Sequence, residues 1–142
     1  MSINEIYNQK ILEFIRSNRC DLSNAGITEL NMNILNFKNI EELILSDNKL
    51  TSLPKSLGAL PSLKWLVLSD NLLSKIPASI CKLINLEGLS LSGNRLEKLP
   101  KNIVNLKKLK WLSLSENSEL TLTAEQQSWI ENLKSNGCQV LY

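Results

Sequence analysis

The residues of this chain able to do covalent chemistry are three cysteines and a regular file of serines. Ser23, Ser46, Ser69, Ser92 and Ser115 recur every 23 residues, and Cys20, Cys81 and Cys138 stand 61 and 57 residues apart. A serine or cysteine nucleophile needs a base or a cationic neighbour to take its proton. The 142 residues include no histidine, which removes the commonest general base, the commonest metal ligand and the usual pH switch together. None of the serines has an obvious lysine base within its own repeat. Three widely spaced cysteines form neither a disulfide framework nor a zinc-ligand pattern, so reduced thiols are expected. Asp47 and Asp70 are carboxylates one interval apart, but no further ligand type converges on them. No catalytic residue, cofactor or metal is expected, and the chain is read as a non-enzyme.

The same spacing offers contact chemistry instead. If residues 23 apart become lateral neighbours on a sheet, one column reads Arg19, Glu42, Trp65, Gly88, Trp111 and the next Asp21, Ile44, Val67, Ser90, Ser113. Two tryptophans then flank a glycine, with backbones ~9–10 Å apart across it. Two arrangements are open: both rings lie flat and cover Gly88, or they stand as a two-walled clamp with a glycine floor. Tryptophan is strongly enriched among interface residues that carry binding energy. Ile44 and Val67 extend the apolar patch. A third column, Asn24, Asp47, Asp70, Gly93, Glu116, sets like charges side by side. A basic partner segment offsets that repulsion, or the carboxylates accept local hydrogen bonds at a turn. The candidate protein-binding residues are therefore Trp65, Gly88, Trp111, Ile44, Val67, Asp47, Asp70 and Glu42. A fourth column, Asn18, Glu41, Lys64, Glu87, Lys110, alternates in sign and is read as structural.

The elements that must position these columns follow from the repeat. SDNKLTSLP at 46–54 returns as SDNLLSKIP at 69–77 and SGNRLEKLP at 92–100. Pairs such as Leu43/Leu45 point to one side of a short strand. The asparagines Asn48, Asn71, Asn94 and Asn117 follow where the chain turns inward, and their amides can satisfy backbone groups that the turn buries. Proline at 54, 77 and 100 presets φ on the return run. One such unit cannot bury its own apolar face, so neighbours must cover it. Five repeats are counted, at 17–39, 40–62, 63–85, 86–108 and 109–122. Ala25 replaces the first asparagine, and the last copy, SENSELTL, has one residue too many and no proline. The segment LEGLSLSGNRLEKLPKNIVNL resembles the leucine-rich repeat family in its 23-residue form. That resemblance implies an α/β solenoid with a concave parallel sheet, and it implies a scaffold role. The ends read as caps. Residues 1–16 are an amphipathic helix with Ser2 and Glu5 at capping-box spacing and an apolar face of Ile3, Ile6, Tyr7, Ile11, Phe14 and Ile15. Residues 123–142 are a helix capped by Thr123 and Gln126, stopped near Gly137, and then a short strand. Cys20 and Cys138 are placed at inward strand positions, and Cys81 on the return run.

A formal charge of +2 with both signs mixed gives no phosphate-binding run, so nucleic acid is not an expected partner. The N-terminus lacks a signal-peptide pattern and no stretch approaches transmembrane length. A cytoplasmic monomer without membrane attachment is expected. The reading is a non-catalytic module that binds a protein or peptide on its concave sheet. Its alternative is the recognition part of a larger enzyme assembly, such as a ubiquitin ligase, or a phosphatase or small-GTPase regulator. A structural spacer is the third possibility.

Overall fold

Ser2 opens the first helix as expected. Its hydroxyl accepts from the Glu5 amide at 3.2 Å and its own amide donates to the Glu5 carboxylate at 2.6 Å. In this computed structural model, which describes residues 2–142 but not the side chains at 3, 4, 7, 8, 10–12 and 32, α1 spans Ile3–Ser17 and ends at Asn18 with φ 55. Phe14 is buried and meets Phe37 edge to face, with ring centroids 6.3 Å apart. Ile6 packs against the core. Ile15, assigned to the same face, is 60% exposed. One residue past Phe14 is a rotation of about 100°, and Phe14 takes the inward position. Of that face, the side chains of Ile3, Tyr7 and Ile11 lie outside the described residues.

Six three-residue strands follow: β1 (Arg19–Asp21), β2 (Glu42–Ile44), β3 (Trp65–Val67), β4 (Gly88–Ser90), β5 (Trp111–Ser113) and β6 (Gln139–Leu141). They pair in chain order, all parallel. The register runs Arg19, Glu42, Trp65, Gly88, Trp111, Gln139, which is the column read from the spacing, extended by one strand. At the centre of the first five strands, Cys20, Leu43, Leu66, Leu89 and Leu112 point inward and are fully buried.

The asparagines form the polar ladder that the turn requires. Asn71 donates to the carbonyls of Leu45 and Leu68 at 2.9 and 3.1 Å, and accepts from the Leu50 amide at 3.0 Å. Asn48, Asn94 and Asn117 repeat this one coil up or down. The Leu45 carbonyl receives both Asn48 and Asn71, so each such carbonyl ties two successive coils. Where Ala25 stands in place of an asparagine, its amide and that of Ile27 donate to Asn48.

Away from the sheet, the return run forms short 3-10 turns, among them Lys55–Ala59, Ala78–Lys82 and Lys101–Asn105, each preceded by proline at φ −70, −68 and −56. Proline has no amide to waste there and sets the entry angle. Gly58 is needed for close approach: a Cβ at this position would collide with the Ser79 carbonyl of the next turn.

The far end is closed by α2 (Ala124–Ser135), with the Thr123/Gln126 capping box in place. Two side chains anchor it, Trp129, which the spacing did not single out, and the capping residue Gln126 in a second role. Trp129 is buried and donates its indole N–H to the Leu106 carbonyl at 3.0 Å. Gln126 donates to the carbonyls of Leu99 and Pro100. The helix ends with Gly137 at φ 89, its amide bonded to Lys134 and that of Cys138 to Leu133. That turn consumes the chain through Cys138, which therefore lies one residue ahead of β6 and not at its inward position. Val140 holds that place, although Cys138 is buried as expected.

Candidate protein-binding face

Trp65, Gly88 and Trp111 open β3, β4 and β5 in one register row. The indole rings have centroids 6.2 Å apart and planes inclined by 31°. Strands two apart are separated by ~9–10 Å, so the rings lean together across β4. A Cβ on residue 88 would collide with the six-membered ring of Trp65, and Gly88 itself is buried. Trp65 therefore covers Gly88, as in the flat arrangement, and the rings leave no open slot between them. A planar ligand between two walls needs ~7 Å, two contact distances of about 3.5 Å. The slot is filled by the rings themselves, which make a joined, half-buried apolar plate.

Beside that plate, Ile44 and Val67 are neighbours in register, both half-buried. Their row continues through Ser90 and Ser113 to Leu141, which is 44% exposed. The 23-residue period did not reach Leu141, because α2 intervenes and the step from β5 to β6 is longer. The signal that finds it is the register of β6. Ser90 and Ser113 are buried, each with its hydroxyl 3.3 Å from that of the next serine, Ser92 or Ser115. Within the serine file, Ser92 and Ser115 are thus tied to neighbouring serines, and Ser23 donates its hydroxyl to the Asp21 carboxylate at 2.6 Å.

The carboxylates divide into engaged and open ones. Glu42 accepts from Arg19 at 3.0 Å, and Arg19 also meets Asp21 at 3.3 Å. Glu41 pairs with Lys64 at 3.6 Å and Glu87 with Lys110 at 2.8 Å. The Lys110 ammonium holds the Glu87 carboxyl below its ordinary range, first by hydrogen bonding and then by charge. Asp47 and Asp70 are exposed, and among the described residues neither is in an ion pair. Both have φ 55, as Asn24 (52), Gly93 (66) and Glu116 (57) have in the same column. Aspartate, asparagine and glycine tolerate this left-handed turn best. The Asp70 carboxylate is seated against the Gly93 backbone, where a Cβ would collide with it.

The three cysteines are buried thiols. Burial pushes the Cys81 and Cys138 thiols up from their ordinary pKa, the opposite of what a nucleophile needs. No group of residues able to hold a metal ion occurs among the described residues, and no helix among them is long and apolar enough to cross a membrane.

A family model described as leucine-rich repeat region matches residues 55–138, and a second, leucine rich repeat, matches residues 19–73. Among solved structures, a leucine-rich repeat protein of Leptospira interrogans is similar at TM-score 0.61 and 29% identity, over 82% of this chain and 34% of that one. An internalin from Listeria monocytogenes is similar at TM-score 0.63 and 22% identity, over 80% of this chain and 31% of that one, a likeness of fold alone. The chain therefore spans about a third of the length of these two structures. No curated protein matches it.

Proposed function

Because the chain belongs to the leucine-rich repeat family, we propose that it is a non-catalytic scaffold that docks a protein or peptide on its concave sheet. The observation that carries this is the Trp65–Trp111 plate over Gly88. It is a large, rigid, half-exposed aromatic surface in a row of short strands, with Ile44 and Val67 beside it. Its rings are held by each other and by the backbone, so little side-chain freedom remains to be lost on binding. Asp47 and Asp70 stand open in the turn column beyond the strand ends, while Glu42 is held by Arg19. This favours a partner segment that offers apolar side chains to the plate and a cation to the turn column. The absence of histidine and the protonated thiols support a role without catalysis. Three buried, unbridged cysteines support a reducing compartment such as the cytoplasm.

The experiment is affinity capture with the wild type and with a Trp65→Ala/Trp111→Ala variant, followed by titration of each captured protein against both. Loss of binding with retained circular dichroism supports the reading. Equal affinity of the two forms contradicts it. A second reading, the recognition part of a larger assembly, rests on the chain spanning a third of the structures it matches. Sizing the endogenous protein in a native extract separates the two, since a species at the chain's own mass counts against an assembly.

A further inference from the structure

Away from the concave sheet, the 3-10 turns at Lys55–Ala59, Ala78–Lys82 and Lys101–Asn105 border an open groove of about 700 Å³. Its floor is apolar, with Leu53, Ile76 and Pro77, and Lys55, Lys75 and Lys82 stand around it. No carboxylate lines it, and among the described residues none of the three lysines is in an ion pair. This contrasts with the strand side, where Lys64 and Lys110 are each matched by a glutamate. The wall also contains Ser79, whose hydroxyl oxygen is buried and has no hydrogen-bond partner. Buried hydroxyls are ordinarily bonded, so the wall holds an unmet polar group. The Ser79 backbone itself is packed against Gly58 too closely for any side chain there.

Uncompensated cations over an apolar floor are complementary to a molecule with an anionic head and an apolar body. Lysine binds phosphate or carboxylate as a point charge, without demanding one orientation. We propose that this groove is a binding site for a small soluble organic anion, its phosphate or carboxylate held by Lys55, Lys75 and Lys82 and its body lying on Leu53, Ile76 and Pro77. The site is independent of the concave face and has no bearing on partner docking there.

The test is a heteronuclear NMR titration of the full chain with 1-naphthyl phosphate, set beside inorganic phosphate and 1-naphthol. Saturable shifts are expected at the amides of Lys55, Lys75, Ile76 and residues 78–82, with the β-strand amides unmoved. Each half-molecule is expected to bind more weakly than the whole. A Lys55→Gln/Lys75→Gln/Lys82→Gln variant is expected to bind about tenfold more weakly or worse, the loss of charge-assisted contacts. All three lysines are solvent-facing, so it should fold normally. Ala78→Trp, which fills the groove without changing charge, is expected to abolish the shifts as well. The proposal is overturned if no saturable shift occurs, if the lysine variant binds equally, or if 1-naphthol binds as well as its phosphate. Retention by phosphatidic acid vesicles with no response to soluble naphthyl phosphate also overturns it, in favour of a membrane surface.

Discussion

At the scale of single residues, two positions carry more than their size implies. Gly88 is buried beneath an indole, and a methyl group there has nowhere to go. Gly88→Ala is expected to break the Trp65–Trp111 contact and to cost about 1–3 kcal/mol in urea unfolding, the range for overpacking. Loss of the stacked-indole signal in near-ultraviolet circular dichroism checks the first part. Asn71 is the other. Asn71→Leu keeps the branched shape but leaves the Leu50 amide without its acceptor, whereas the Leu45 and Leu68 carbonyls keep Asn48 and Asn94. The expected cost is therefore that of one stranded buried donor, about 1–3 kcal/mol, measured by the same denaturation. The asparagine ladder was legible in the sequence because it is strictly periodic. The choice between a clamp and a plate was not, because spacing places backbones and leaves ring orientation to packing.

At the scale of elements, the register of the strands was legible, since the 23-residue period and the Leu-x-Leu pairs agree on it, although each of the first five strands ends one residue before the second leucine of its pair. What periodicity could not reach were the edges. Trp129 and Gln126 dock α2 by reaching backbone carbonyls of the preceding coil, contacts that no repeat pattern encodes. Likewise, Cys138 was misplaced because a helix-ending turn sits between the last full repeat and β6. The ion pairs that bridge strands are exposed, and one of them is testable by pH. Lys110 depresses the Glu87 pKa. The pair's support of the folded state is thus complete above the ordinary carboxylate range and fades as pH falls through the depressed value. Lys110→Met is expected to return the Glu87 titration midpoint, followed by carbon NMR, toward the ordinary carboxylate value. An unmoved midpoint would mean that another group sets it.

At the scale of the whole molecule, two groups of like charge lie on different faces although the sequence mixes them. Asp47, Asp70 and Glu116 lie in the turn column flanking the sheet, and Lys55, Lys75 and Lys82 ring the groove on the other side. A solenoid brings each face past once per coil, so residues of opposite faces alternate along the chain and composition averages them away. That is why a net charge of +2 concealed an acidic column at the turns that follow the strands. The central claim is that a partner docks on this plate. The most direct measurement is photo-crosslinking of a captured partner from a benzophenone side chain placed at Val67 on the sheet, or at Ile84, an exposed apolar residue away from it. Adducts from Val67 that vanish in the Trp65→Ala/Trp111→Ala background are the predicted result. Adducts from Ile84 alone, unaffected by loss of the tryptophans, would contradict it.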